Sequence, residues 1–266
     1  MSIRVLMVAV TGCFYASAAV LRVPGDFDRI QSAINAASQG DTVLVGEGIF
    51  NEYLVLQEGV CLMGVDRRTS IIWGRENRPV ITGAADAQIR NLTIKGGRTG
   101  ILCENVVMTI EGNIISDNAE TGIHALVSLP VIRNNLVLRN KNTGIYLESV
   151  RGTRTLIEHN VCAENGYSGI MLAGTSEVLV QNNVFFVNRQ FGIWVNEQSR
   201  RTRIIYNGFY GNRRQYNQYA VVDESNIALY PGYIPLVPSS YEYLDLRRRP
   251  LAGLGKEGAD IGIIDD

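Results

Sequence analysis

Between residues 89 and 212 the apolar positions recur in three short runs per unit. Within each run they alternate with polar or outward residues at period 2, the pattern of strands rather than helices. One run opens on a Gly-Ile pair, at Gly100-Ile101, Gly122-Ile123, Gly144-Ile145, Gly169-Ile170 and Gly192-Ile193, and returns every 22 to 25 residues. A second places Ile110, Ile132, Ile157, Val180 and Ile204 inward, followed by outward Glu111, Arg133, Glu158, Gln181 and Ile205. A third turns Ile115, Val137, Cys162, Phe185 and Phe209 inward. A fixed period of this length defines a solenoid, so residues far apart in sequence fall into columns. Three short strands per turn, each about 4.8 Å from the next turn, predict an all-β, single-domain, three-sided parallel β-helix.

Asparagines punctuate the runs as Asn-x-apolar-x-x-Asn, from Asn113 to Asn118, Asn135 to Asn140, Asn160 to Asn165, Asn183 to Asn188 and Asn207 to Asn212, with Asn91 opening the series and Gly96 in its second slot. Asn tolerates left-handed backbone angles, and stacked amides hydrogen-bond along the axis, so both columns are expected to be corner ladders. The glycines are expected to mark a bend before a strand, with Thr99, Thr121, Thr143 and Ser168 as a hydroxyl ladder beside them. Ahead of the repeats, Asp28 to Ala37 carries Ile30, Ala33, Ile34 and Ala37 on one stripe. This predicts a short N-terminal capping helix over the open end of the solenoid.

The repeat resembles that of the right-handed parallel β-helix in the pectin-lyase-like superfamily. Its opening also resembles that superfamily's N-terminal cap and first turns, in Ile30-Gln31-Ser32-Ala33-Ile34, Gly40-Asp41-Thr42-Val43-Leu44-Val45 and Gly59-Val60-Cys61-Leu62-Met63-Gly64. The tail does so in Arg249-Pro250-Leu251-Ala252-Gly253 and Gly258-Ala259-Asp260-Ile261-Gly262. The resemblance spans nearly all of the chain after about residue 22 and implies a right-handed coil. It implies no activity, because the superfamily hosts lyases, hydrolases, esterases and non-enzymes. Signatures like the paired Asp and Gly-His-Gly of polygalacturonases are not found, nor are the Asp cluster and Arg motif of calcium pectate lyases or the Gln, paired-Asp and Arg set of pectin methylesterases.

Arg4, the apolar stretch Val5 to Tyr15 and Ala16-Ser17-Ala18 read as a signal peptide over residues 1–19, ahead of a β-helix domain over 20–266 with a C-terminal cap or tail from about 219 to 266. The domain is then secreted, periplasmic or on the cell surface. Val10-Thr11-Gly12-Cys13 offers the alternative of a lipid anchor on Cys13. No later segment is apolar enough to span a membrane. Removal of Cys13 leaves Cys61, Cys103 and Cys162, an odd number and no complete disulfide framework.

Lys plus Arg number 25 against 26 Asp plus Glu, but from Arg133 to Arg214 there are eleven basic residues and five acidic. A cationic stretch of solenoid suits an acidic polymer, while exposed turn residues are often charged in any case. On the strand after each Gly-Ile pair the outward column reads Leu102, His124, Tyr146, Met171 and Trp194, and rings presented along a face suit stacking on sugars. Burial of this column by the C-terminal tail is the competing explanation. The next outward column is Glu104, Leu126, Glu148, Ala173 and Asn196. Its two glutamates, two turns or about 9.6 Å apart, lie near the roughly 6.5–9.5 Å of inverting glycosidases. A uronate lyase needs a cation at the carboxylate and a base for the C5 proton. Candidate catalytic residues are therefore His124, Tyr146, Glu148, Glu104 and Arg151, and candidate binding residues are His124, Tyr146, Met171, Trp194 and Arg154. His124 and His159 occupy different columns, and neither a metal, a cofactor nor nucleic acid is expected. A polysaccharide partner leads, with a non-catalytic protein-interaction module and an uncharacterised polysaccharide lyase or glycoside hydrolase as alternatives.

Overall fold

The computed structural model describes residues 18–150, 155–175, 177–199, 201–228 and 253–263. Residues 1–17 of the predicted signal segment, Cys13 included, and Arg151 and Arg154 lie outside these residues.

Three parallel sheets run the length of a right-handed solenoid of about nine turns. Among the described residues, sheet 1 stacks nine strands from Val20–Val23 to Arg203–Ile205, sheet 2 nine from Gly48–Phe50 to Ile227–Ala228, and sheet 3 eight from Leu54–Val55 to Arg214–Tyr216. From Thr42–Val45 to Arg214–Tyr216 the chain visits the sheets in the order 1, 2, 3 on each turn, so each strand pairs in parallel with the equivalent strand of the next turn. The inward columns of the sequence stand in register: Ile110 with Ile132 and Ile157 on sheet 1, Ile115 with Val137 and Cys162 on sheet 2, and Ile123 with Ile145 and Ile170 on sheet 3. Together they form one apolar stack from Val23 to Phe209, ending in the stacked rings of Phe185 and Phe209. Burial of each such side chain contributes about 1.5–3 kcal/mol, and no turn can bury its own inner face without a neighbour.

Both asparagine columns are ladders. Asn113, Asn135, Asn160, Asn183 and Asn207 pass an amide hydrogen bond from Nδ2 to the next Oδ1 at 3.0–3.1 Å, ending on Asn226. Asn118, Asn140, Asn165, Asn188 and Asn212 do the same at 2.9–3.0 Å. Each Oδ1 also accepts the backbone N–H of the ladder residue one turn before, as Asn160 does from Asn135 at 3.0 Å. The left-handed residue at each corner is not the ladder Asn but the one before it: Gly112, Asn134, His159, Asn182 and Tyr206 in one column, Asp117, Arg139, Glu164, Val187 and Gly211 in the other. Asn91 belongs to this left-handed column. The ladder position of its turn is Leu92, and the second slot is Gly97 rather than Gly96, since Leu92 N–H and Gly97 N–H donate to Asn113 and Asn118.

Gly100, Gly122, Gly169 and Gly192 sit inside the sheet 3 strands rather than at a bend before them, while Gly144 does mark a bend just ahead of Ile145–Glu148. Close approach explains them: a Cβ on Gly122 would lie 2.6 Å from the Gly144 carbonyl oxygen and 2.8 Å from the Asn140 amide nitrogen. In the hydroxyl column beside them, Thr143 and Ser168 are 3.4 Å apart.

The helix Ile30–Ala36 buries Ile30, Ala33 and Ile34 against the first strands of sheets 1 and 3. Its first residue follows Arg29, which makes no side-chain cap. Instead the buried carboxylate of Glu52 accepts Ile30 N–H at 2.9 Å and Gln31 N–H at 3.2 Å, with Arg29 Nε 3.5 Å away. A negative charge at a helix N-terminus is favourable.

From Ile114–Ser116 to Val184–Phe186, sheet 2 is buried on both faces. Its outward Ile114, Leu136, Leu138, Val161, Val184 and Phe186 form a second apolar cluster with Ile261 and Ile263 of the C-terminal segment 253–263. That segment is fixed at two corner residues: Gly262 N–H donates to the Asn182 carbonyl at 2.7 Å, and the Gly262 carbonyl lies 3.1 Å from His159 Nδ1. Among the described residues no helix is long and apolar enough to cross a membrane.

Candidate functional site on the outer face of sheet 3

The strands Thr99–Glu104, Thr121–Leu126, Ile145–Glu148, Ser168–Ala173 and Phe191–Val195 bring the outward column together as read from the sequence, with Leu102, His124, Tyr146, Met171 and Trp194 neighbours in register. All five are half-buried. The C-terminal segment 253–263 packs on sheet 2, so it is not what shields them. Adjacent parallel strands hold equivalent side chains one turn apart, which lets flat rings lie face to face.

His124 and Tyr146 do so, with ring centroids 4.8 Å apart and planes 12° from parallel. Glu148, two residues beyond Tyr146 on the same face, places Oε2 3.4 Å from His124 Nε2. Burial pushes the Tyr146 phenol above its ordinary range, and the Glu148 carboxylate beside it pushes the same way. Tyr146 is therefore a protonated phenol at neutral pH, a hydrogen-bond donor rather than a base.

The remaining candidates divide. Met171 and Trp194 extend the apolar surface beyond Tyr146. Glu104 is exposed and separated from Glu148 by the turn that carries Leu126, so it stands apart from the His124 cluster. Asn196, at the end of the same column, turns into a corner, where its Oδ1 accepts Gly174 N–H at 3.0 Å and the Ser199 hydroxyl at 2.6 Å. Among the described residues no group of three or more His, Cys, Asp or Glu side chains is placed to hold a metal ion.

A second constellation escaped the sequence reading. On sheet 1 the outward column is a charge ladder in which Glu111 is shared between Arg133 Nε at 2.7 Å and Arg90 Nη2 at 3.2 Å, and Gln181 Nε2 donates to Glu158 at 2.8 Å. The alternation of sign down this column, Arg90, Glu111, Arg133, Glu158, was the available signal.

The chain belongs to the right-handed β-helix family, whose profile, "Right handed beta helix region", matches residues 70–229, and its three-sided solenoid is that of the pectin-lyase-like superfamily. No curated protein matches it in sequence. Among solved structures it is similar to the mannuronan C-5 epimerase AlgE4 A-module of Azotobacter vinelandii, with 20% identity over 70% of this chain and 67% of that one and a TM-score of 0.54. It is also similar to an alginate lyase from Paenibacillus sp. str. FPU-7, with 20% identity over 73% of this chain and 77% of that one and a TM-score of 0.56. With the PL6 family alginate lyase AlyGC it shares 17% identity over 79% of this chain but 35% of that one, at a TM-score of 0.57. At these identities the likeness is one of fold.

Proposed function

We propose that this protein is an exported β-helix that binds an acidic polysaccharide along the outer face of sheet 3. The observation that carries the reading is the stacked pair His124 and Tyr146, continued in register by Met171 and Trp194 and flanked by Glu148. Such a stripe offers a saccharide apolar and aromatic surface along the axis, with polar groups at its edge to orient hydroxyls. Three similar folds belong to proteins named for alginate or mannuronan chemistry, which supports the substrate class. The basic excess between Arg133 and Arg214 supports an acidic polymer. Export rests on the apolar N-terminal segment and Ala16-Ser17-Ala18.

A second reading, a uronate lyase, is favoured by the chemistry of the same cluster. A phenol held protonated beside a carboxylate and an imidazole provides a proton donor next to groups able to accept one. Direct binding to a panel of neutral and acidic polysaccharides, with Tyr146→Ala alongside, tests the first reading. Saturable binding to acidic polymers that the variant loses supports it, and no binding to any of them sinks it in favour of a protein-interaction module. Incubation with uronate polymers, followed by the absorbance of an unsaturated product, tests the second. That product should appear with the parent protein and vanish with Tyr146→Phe; its absence from every uronate polymer rejects the lyase.

A further inference from the structure

The corner from sheet 1 to sheet 2 takes two residues in most turns, as in Gly112-Asn113 between the strands Thr109–Glu111 and Ile114–Ser116. In the second turn, between Cys61–Gly64 and Ser70–Trp73, it takes five, Val65-Asp66-Arg67-Arg68-Thr69. These extra residues are held firmly. The Asp66 carbonyl accepts Thr69 N–H at 3.0 Å and Ser70 N–H at 2.8 Å, and its carboxylate takes Arg68 N–H at 2.8 Å and the Arg68 guanidinium at 2.9 Å. Thr93 donates to the Arg67 carbonyl, and Arg67 Nη1 reaches two turns along the axis to the Gly112 carbonyl at 3.3 Å.

The arm so formed walls a groove of about 460 Å³ over the outer face of sheet 1. This lies within the roughly 300–1,000 Å³ of small-molecule sites. Its floor is the charge ladder, in which Arg90 and Arg133 flank Glu111 at closest N–O distances of 3.2 and 2.7 Å, with Arg90 Nε and Arg133 Nε buried and without a hydrogen-bond partner among the described residues. Glu111 is 14% exposed, and the two arginines 39% and 42%. Arg67 adds a third guanidinium, while Asp66, the other acid of the lining, is engaged by Arg68, so the groove is net cationic. Met63 and Val65 supply an apolar side, and Asn91 and Asn134 line it with amides.

We infer that this groove is a second binding site, taking a small acidic sugar whose carboxylate meets Arg133 and Arg90 and whose ring lies against Met63 and Val65. Guanidinium forks match a planar carboxylate, and the mixed lining suits a ring with one apolar face and several hydroxyls. The site is on a different sheet from His124 and Tyr146, and it stands whether or not sheet 3 binds glycan.

Calorimetric titration of the full chain with a glucuronate-containing disaccharide, a neutral disaccharide and inorganic phosphate tests the assignment. The acidic sugar should bind, more weakly at high salt, and the other two should not. Arg133→Gln should weaken binding by about tenfold, consistent with loss of one charge-assisted contact. Glu111→Gln should tighten it by releasing both guanidiniums, and the same titration in a Trp194→Ala background, which removes the indole of the sheet 3 face, should retain the heat that Arg133→Gln diminishes. Arg67→Gln, on the arm, should also weaken binding and gives a second test should Arg133→Gln fail to fold. Equal binding of phosphate overturns the sugar assignment. No binding of the acidic sugar, or binding indifferent to Arg133, Arg67 and Glu111, overturns the site.

Discussion

His124 and Tyr146, 22 residues apart in sequence, lie face to face at 4.8 Å, because the repeat places them at the same point of consecutive turns. Glu148 sits beside both. The phenol of Tyr146 is held above its ordinary value of 10.0, first by burial and then by the Glu148 charge. Its stabilising effect is complete below about pH 10 and is lost as the pH rises through the raised folded value, where the native state holds the proton that the unfolded chain has released. Ultraviolet titration of the parent protein minus Tyr146→Phe should isolate one late-ionising tyrosine. Glu148→Gln should bring that ionisation down, though not to the ordinary value, since burial remains. No movement on Glu148→Gln contradicts the pairing.

Asn160 illustrates what the ladders contribute. Its Nδ2 donates to the Ile132 and Glu158 carbonyls and to Asn183, and its Oδ1 accepts both the N–H and the Nδ2 of Asn135. Asn160→Ala leaves several buried polar groups unpaired and should cost about 3 kcal/mol by chemical denaturation. A loss under about 1 kcal/mol would mean that water or neighbouring groups satisfy those atoms instead.

Two backbone positions predict opposite signs. A Cβ on Gly144 would stand 2.6 Å from the Gly169 carbonyl oxygen, so Gly144→Ala forces adjacent turns apart and should destabilise by about 2 kcal/mol. Val187 holds a left-handed φ of 49°, although it is β-branched and 41% exposed. Val187→Asn relieves a conformation that costs an ordinary residue roughly 1–2 kcal/mol and should raise stability by about 1 kcal/mol. Paired melting curves decide both.

Ile261 lies 3% exposed against the outer face of sheet 2. Ile261→Asp buries a carboxylate without a partner and should release the segment 253–263, uncovering Leu136, Val161 and Phe186. Increased binding of a hydrophobic dye with the solenoid still folded is the expected readout. An unchanged dye signal contradicts the cover.

The core and the outward sheet 3 column were legible because a repeat states each position several times over: the inward columns and the sheet 3 stripe could be read by counting. Features that occur once could not. The five-residue corner Val65 to Thr69 breaks the repeat, and nothing in its own sequence says that Arg67 reaches Gly112. The ladder frame slipped by one at Asn91, because Leu92 fills the ladder slot and an asparagine stands next to it. The outward side of sheet 2 went unread although Leu136, Leu138, Val184 and Phe186 are apolar there, since only the distant Ile261 and Ile263 explain that face. Cys103 and Cys162 lie buried in the core, and burial raises both thiols, Cys103 to about 12.

Trp194 reports on the proposed face most directly. The chain has two tryptophans, and Trp73, with Lys95 Nζ 4.4 Å from its ring centroid, lies on another sheet, so Trp73→Phe leaves Trp194 as the sole indole. Its fluorescence should be titrated with acidic and neutral oligosaccharides. A saturable change with the acidic series, abolished by Tyr146→Ala, is the result predicted for a saccharide lying along His124, Tyr146, Met171 and Trp194. Emission that stays constant with every oligosaccharide contradicts a glycan-binding face on sheet 3.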